Sequence, residues 1–294
     1  YCYDKGQGVT EDKTKAFEWY LKSAENGDEK GMCAVGWCYR NGEVVAQDEA
    51  KAFEWYLKSA NKGNVHAMSS VGNCFSEGIG VAQDETKAFE WYLKAASNGD
   101  VDAMCSLGCC YNDGNGVMQD KTKAFEWFMK AANLGESRSM FNVGICFNVG
   151  NGVPKDQSRA FEWYMKAAEN GHLQAMYNVG ICYKNGEGVA QDKKKTYEWC
   201  LKAAEKGYPD AMCLVGFCYA FGDGVAKNSA EGFEWWLKAA KDGCSSAMYA
   251  VGICYNGGDG VAQDKQKAFE WFLKSANNGN ADAMKKREMH FIMR

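Results

Sequence analysis

Residues 51–58 read KAFEWYLK, and near-copies return down the chain: KAFEWYLK at 15–22 and 87–94, KAFEWFMK at 123–130, RAFEWYMK at 159–166 and KAFEWFLK at 267–274. The tryptophans of these segments (Trp19, Trp55, Trp91, Trp127, Trp163, Trp199, Trp235 and Trp271) are spaced 36 residues apart with no insertion between them. Glu54, Lys58, Gly63, Gly42 and Met32 recur in the same register. A fixed period of this length marks an array of supersecondary units, each burying its apolar face against its neighbours. The 294 residues are therefore expected to form one solenoid rather than two unrelated domains.

Each unit reads as helix A, loop, helix B, loop. Asp28, Asn64 and Asp100 are N-cap residues for helix A, and Gly42 suits the left-handed residue that ends it. Asp48 and its copies cap helix B, which stops at Gly63 and its copies. On a helical wheel at about 100° per residue, Ala52, Phe53, Trp55, Tyr56, Leu57, Ser59 and Ala60 fill one broad arc of helix B. Lys51, Glu54, Lys58, Asn61 and Lys62 fill the other. An apolar arc wider than the roughly 100° of a single-neighbour helix predicts contact with several helices at once. Glu54 and Lys58, at i,i+4 in the favourable order, are expected to pair on the wet side for about 0.3–0.5 kcal/mol. In helix A, Gly31, Met32, Val35, Gly36, Cys38 and Tyr39 stay nearly constant from unit to unit, whereas Lys30, Cys33, Ala34, Trp37, Arg40 and Asn41 occupy positions that change freely. Gly36 recurs in mid-helix although Gly there costs about 1 kcal/mol relative to Ala, which predicts close approach of a helix B aromatic.

Composition narrows the function. Hydrophobic residues make up 46% and charged residues 24%, with a net charge of -4 from 34 basic and 38 acidic side chains. That mixture supplies no basic stripe for nucleic acid, and no apolar run reaches the ~18 residues of a membrane span, so neither nucleic acid nor membrane insertion is expected. The opening YCYDKGQGV reads as the tail of an element, as in a piece of a longer protein.

The segment AMYNVGICYKNGEGVAQDKKKTYEWCLKAAEKG at 175–207 resembles the Sel-one-like repeat, a relative of the tetratricopeptide repeat. The matching pattern is A-x-x-x-[LV]-G-x-x-Y-x-x-G-x-G-V-x-x-D-x-x-K-A followed by an aromatic-rich K-A-A-x-x-G, and it covers essentially the whole chain. The resemblance implies an all-α fold, a right-handed α/α superhelical solenoid of helix-turn-helix repeats, acting as an adaptor with helix A lining a concave face. Residues 1–27 form a partial first repeat, 28–279 seven complete repeats, and 280–294 a divergent helix expected to serve as a cap. Val44 departs from the pattern where other copies have Gly, Glu231-Gly232 replaces Lys-Ala, and Arg287-Glu288 stands where Val-Gly belongs.

Of 14 cysteines, Cys2, Cys38, Cys74, Cys110, Cys146, Cys182, Cys218 and Cys254 form a ladder on the constant arc. Neighbouring rungs about one helix spacing apart, roughly 8–10 Å, lie beyond disulfide reach. They read as small buried hydrophobes, unlike the paired cysteines of secreted relatives, and favour a reducing, cytoplasmic location. Cys105, Cys109 and His66 lack a fourth partner for zinc. No metal or other cofactor is expected.

No catalytic constellation stands out. His66, His172 and His290 have no triad or zinc-protease context, and DGNGVMQDK lacks P-loop spacing. The chain is read as a non-enzymatic scaffold binding a protein or peptide rather than a small molecule. The rival readings are a structural spacer and, since some cysteine-rich relatives are described as β-lactamases, an enzyme of that kind. The expected partner-binding residues are the apolar and amide positions of the variable arc: Arg138, Phe141, Asn142, Ile145, Gln174, Tyr177, Asn178, Ile181, Phe217, Tyr249 and Ile253. Rings supply anchors and amides bond a peptide backbone. Trp37 shares that arc, while the N-terminal repeats, with Ser69, Ser70, Asn73 and Ser106, are plainer.

Overall fold

A computed structural model describes residues 12–285. Among them are fifteen helices of 13 residues each, and no strand. They are α1 (Lys13–Glu25), α2 (Glu29–Asn41), α3 (Glu49–Asn61), α4 (Val65–Glu77), α5 (Glu85–Ser97), α6 (Val101–Asp113), α7 (Lys121–Asn133), α8 (Ser137–Val149), α9 (Gln157–Glu169), α10 (Leu173–Asn185), α11 (Lys193–Glu205), α12 (Pro209–Phe221), α13 (Ser229–Lys241), α14 (Ser245–Gly257) and α15 (Lys265–Asn277). Odd-numbered helices carry the Glu-Trp segment and are the B helices; even-numbered ones are the A helices. The fold class is thus the expected all-α solenoid of helical hairpins. Residues 281–285 are also helical; the rest of the expected cap, with Arg287 and Glu288, lies outside the described residues, as does Cys2.

The chain divides into two compact units. One comprises Tyr1–Cys146 with Gly150–Pro154, the other Phe147–Val149 with Lys155–Arg294, so the divide falls within α8. In the N-terminal unit α1 through α7 pack consecutively, and in the C-terminal unit α9 through α15 do the same.

The helix ends follow the sequence. Asp48 accepts a hydrogen bond from the Lys51 amide at 3.0 Å, and Asp84, Asp120, Asp192 and Asp264 repeat it. Asp28, Asn64 and Asp100 cap their A helices through the amides of Gly31, Ala67 and Ala103. Each A helix ends on a left-handed glycine, from Gly42 to Gly258. In the next loop Gly80 has φ +67°, and a Cβ there would run into the Glu49 carbonyl of the preceding unit. Val44, at the equivalent point of the first loop, is not left-handed. That loop has no counterpart of the turn bond seen from Ile79 N to Cys74 O and from Asn115 N to Cys110 O, and is held by the bonds from Gly42 N to Cys38 O and from Asp48 N to Tyr39 O.

The core holds fully buried Val35, Val71, Leu107 and Val143 in the N-terminal unit and Val179, Val215 and Val251 in the C-terminal unit, with buried B-helix alanines in each. The mid-helix glycines sit against the rings the sequence suggested. A Cβ on Gly36 would lie 2.8 Å from Tyr56, on Gly72 2.6 Å from Tyr92, and on Gly108 2.4 Å from Phe128. Within each unit edge-to-face ring pairs tie B helices to the following A helix, as Phe53 to Phe75 at 5.3 Å and Phe233 to Tyr255 at 5.4 Å, a geometry that favours aromatic pairs.

One local expectation fails. No ion pair joins Glu54 to Lys58 among the described residues; the Lys58 ammonium lies over the Trp55 ring at 4.6 Å. The same arrangement recurs at Lys94–Trp91, Lys130–Trp127 and Lys166–Trp163. The half-exposed indole offers the lysine both a quadrupole and a surface for its methylene stem, which an exposed carboxylate in water does not match.

Candidate functional site

The variable positions of the A helices fall differently in the two units. In the N-terminal unit, Arg138 at the start of α8 is held by Glu136 at 3.2 Å and by Asp102 at 3.3 Å. Asn142 lies one turn on, with its amide 4.0 Å from the Cys105 sulfur, and Phe141 and Ile145 are half-buried. Burial pushes the Glu136 carboxyl up, but its bonds to Ser139 and Arg138 outweigh this and hold it below its usual value. Arg138 borders a cleft of about 270 Å³ with Asn73, Glu77, Tyr92, Cys105 and Cys109. Cys105 donates to Cys109, which raises the Cys105 thiol and lowers the Cys109 thiol. His66 does not join them but meets Asp100 at 3.3 Å. Among the described residues no cluster of three His, Cys, Asp or Glu side chains could hold a metal ion.

In the C-terminal unit the variable face is aromatic. Tyr177 packs on Tyr208 with ring centroids 5.6 Å apart, and burial pushes its hydroxyl up to about 12. Gln174 is exposed and hydrogen-bonds Tyr208, while Asn178 and Ile181 are half-buried beside Tyr177. Tyr249 rests against Phe272 at 5.4 Å. Phe217 is 39% and Ile253 42% exposed. Phe217 packs edge-on against Trp236 at 5.1 Å and stacks with Phe221 at 6.2 Å. Two cavities border this pair of rings. One, of about 320 Å³, adds Leu214, Thr196, Lys184 and Lys193. The other, of about 400 Å³, is lined also by Trp236, Tyr249, Ala250 and Ile253.

Of the residues read from sequence, the structure thus brings Phe217, Tyr249 and Ile253 into one cavity wall. Tyr177, Asn178 and Ile181 neighbour one another, as do Arg138, Asn142 and the cleft in the other unit. Phe221 and Trp236 were missed. Phe221 is 69% exposed where other copies carry Asn41, Glu77, Asp113 and Asn185, so an apolar residue at a polar register position was the available signal. Trp236 replaces a Tyr or Phe of the constant B-helix arc and donates its indole N–H to the Cys213 carbonyl at 3.0 Å. Gly232, in place of the usual Ala, gives room there: a Cβ on it would be 2.9 Å from the Gly216 carbonyl.

Known proteins place this architecture. A model of the Sel1 repeat matches residues 1–28, 30–64, 65–100, 101–136, 137–172, 173–208, 209–244 and 245–280. The chain is similar to c5321, a protective antigen present in uropathogenic Escherichia coli strains and displaying an SLR fold: 34% identity and a TM-score of 0.81 over 96% of this chain and 61% of that one. It is also similar to a Sel1 repeat protein from Oxalobacter formigenes, with 30% identity and a TM-score of 0.75 over 94% of this chain and 80% of that one. The chain spans less than two thirds of the length of the E. coli protein. No curated protein matches it. Proteins of this kind are typically non-enzymatic and generally serve as protein-interaction scaffolds. No helix among the described residues is long and apolar enough to cross a membrane. With eight consecutive matches running from residue 1 to 280, the chain belongs to the Sel1 repeat family.

Proposed function

We propose that the chain is a non-enzymatic scaffold that holds a protein or peptide partner on its A-helix faces, with the aromatic ridge of the C-terminal unit as the main anchor. The observation that supports this is the exposed, stacked pair Phe217 and Phe221 with a cavity of about 320 Å³ and another of about 400 Å³ beside it. Contiguous exposed apolar surface is unfavourable in water and marks places where partners bind. Aromatic residues beside pockets also carry most of the energy of such interfaces. The cavities are within the size range of small-molecule sites, but their mouths join an open helix face that suits an extended segment inserting a side chain into each. Gln174 and Asn178 on α10 supply backbone-binding amides, and Tyr177, Ile181, Tyr249 and Ile253 supply further apolar contact. In the N-terminal unit Arg138, Phe141, Asn142 and Ile145 form a second, more polar contact region of this reading.

Selection of a displayed peptide library on the full chain tests this. Enriched peptides are expected to carry at least two large apolar side chains and to lose about 30-fold or more in affinity to the F217A/F221A variant, as the loss of hot-spot rings of about 2 kcal/mol requires. The same variant is expected to bind less of a hydrophobic dye while its far-UV circular dichroism stays unchanged. Selected peptides that bind the variant as tightly as the wild type would remove the ridge from the interface. Hydrolysis of nitrocefin by the pure chain, abolished with the fold, would instead restore the enzyme reading.

A further inference from the structure

Building on the scaffold reading, we infer that the aromatic ridge of the C-terminal unit takes an acidic, apolar peptide segment. Two large apolar side chains of the segment straddle Phe217 and Phe221, and an Asp or Glu side chain beside the first of them pairs with Lys184.

The charged groups on the walls of the two cavities decide the sign. The cavity of about 320 Å³ is lined by Lys184, Lys193 and Asp223, and that of about 400 Å³ by Asp282. Lys193 and Asp223 neutralise one another, with Nζ 2.7 Å from Oδ1. Asp282 lies 3.8 Å from the Lys285 ammonium. Of these four, only Lys184 pairs with no opposite charge among the described residues. Glu187, in the turn that follows α10, accepts instead from the Asn185 side-chain amide at 3.0 Å. The carbonyl end of α10, which attracts a cation, already has its donors. Gln191 Nε2 bonds the Lys184 carbonyl at 2.7 Å, and the Gly186 and Glu187 amides bond that of Cys182 at 2.8 and 3.0 Å. The ridge thus offers apolar rings with one uncompensated positive charge.

The same residues give the occupant a direction. Lys184 lines only the cavity on the α10 side of the rings, while Tyr249, Ala250 and Ile253 of α14 line the other. An extended segment turns alternate side chains to one face, so it can set an anchor on each side of the ridge and an acid at the α10 end. A carboxylate meeting an ammonium beside an apolar wall is less screened than in open water. Such a charge at the edge of an interface selects partners and speeds encounter. The acid is assigned to a side chain rather than a chain terminus, because the cavity mouths join an open helix face along which the segment continues.

Packing does not require a lysine at this position. Lys184 is exposed, and the equivalent residues of other repeats are Arg40, Ser76, Asn112, Asn148, Ala220 and Asn256. Its replacement is therefore expected to leave the fold unchanged.

The test starts from random displayed peptides selected on the full chain, keeping those that lose binding to F217A/F221A. They are synthesised with amidated C-termini and titrated against wild type, K184E and K265E. The last is a matched control: Lys265 is exposed, lines neither cavity and stands where other repeats carry Glu49 and Glu85. The peptides are expected to be enriched in Asp or Glu next to an apolar anchor. K184E is expected to weaken them about five-fold or more, with the loss shrinking as salt rises from about 0.05 to about 0.5 M, and K265E by less than about two-fold. Replacing the peptide acid by its amide should weaken binding to wild type but not to K184Q, a cycle that decides the matter even if K184E folds poorly. Ridge-dependent peptides that are neutral or basic, or that bind K184E and K265E equally, would overturn the acid pairing and leave the scaffold reading intact. So would acidic peptides that bind only with a free C-terminal carboxylate. A library that yields no ridge-dependent peptide would remove the ridge as an anchor, and the acid pairing with it.

Discussion

The two units are made from the same brick and present different surfaces. In the N-terminal unit the variable A-helix positions border a cleft of about 270 Å³ edged by Asn73, Glu77 and Arg138, and its charged groups are engaged, Arg138 with both Glu136 and Asp102. In the C-terminal unit the corresponding positions raise Phe217 and Phe221 into solvent beside two more apolar cavities. The inward positions hardly change, since Val35 and Val251 are equally buried. Packing fixes one arc of each helix and leaves the other open to selection for something else. The difference between the units is the part of the molecule that packing does not explain.

Packing itself also differs between the units, and one such difference gives the largest predicted effect. Gly108 faces the rigid ring of Phe128, whereas Gly180 in the C-terminal unit faces the Cys200 sulfur, in each case 2.4 Å from where a Cβ would stand. Alanine in mid-helix should gain up to about 1 kcal/mol from backbone entropy, so any loss measures overlap. A ring locked between helices cannot yield without moving a helix, at about 1–3 kcal/mol net, while a thiol can turn about χ1. G108A is expected to lose about 2–3 kcal/mol by urea denaturation and G180A under about 1 kcal/mol. Equal losses would mean that the glycines are retained for a reason other than the residue facing them.

These examples also show how far the sequence could be read. The period, the caps at Asp48 and Asn64 and the Gly36–aromatic contact were legible because they rest on local chemistry repeated many times. The Lys58–Trp55 stacking was not, because the spacing rule that pairs Glu54 with Lys58 ignores the half-exposed indole one turn away. For the site, the variable arc was visible as a set of positions, but not which members would converge. Phe217, Tyr249 and Ile253 share a cavity with Trp236, which lies on the supposedly constant helix and therefore outside the arc that the sequence singled out. Phe221 was overlooked because its register position is polar in most copies, with Asn41, Glu77, Asp113 and Asn185.

Acid should weaken the N-terminal unit through its B-helix caps. Hydrogen bonds from the Lys15, Lys51, Lys87 and Lys123 amides lower the carboxyls of Asp12, Asp48, Asp84 and Asp120 below their usual value. A carboxyl lowered in the folded state contributes stability at pH values above its unfolded pKa of about 3.9, and that contribution disappears as pH falls through the folded value. Stability should therefore be level from about pH 5 to 7 in this respect and decline below about pH 4. At the equivalent C-terminal position Asn228 caps α13 by accepting from the Glu231 amide, and an amide does not titrate there. Hydrogen exchange at pH 3.5 should show the first turns of α3, α5 and α7 opening more than that of α13. D84N should remove the pH dependence of α5, and an unchanged α5 profile in that variant would show that the caps are not the acid-sensitive groups.

The smallest effect concerns what the units share. Lys94 over Trp91 in the N-terminal unit and Lys166 over Trp163 in the C-terminal unit are members of the same ladder, at 4.6 and 4.0 Å from the ring centroids. Exposed cation–π contacts of this kind contribute about 0.5–1 kcal/mol. Replacing either lysine by Gln is expected to cost about 0.5 kcal/mol, whereas E90Q, which removes a carboxylate with no lysine partner among the described residues, should change stability by less. If E90Q were as costly as K94Q, the charges would be paired in solution as the spacing first suggested, and the indoles would be bystanders. If K94Q and K166Q cost the same while E90Q does not, the brick behaves alike in both units. What distinguishes the units is then confined to the A-helix face and the wall behind it.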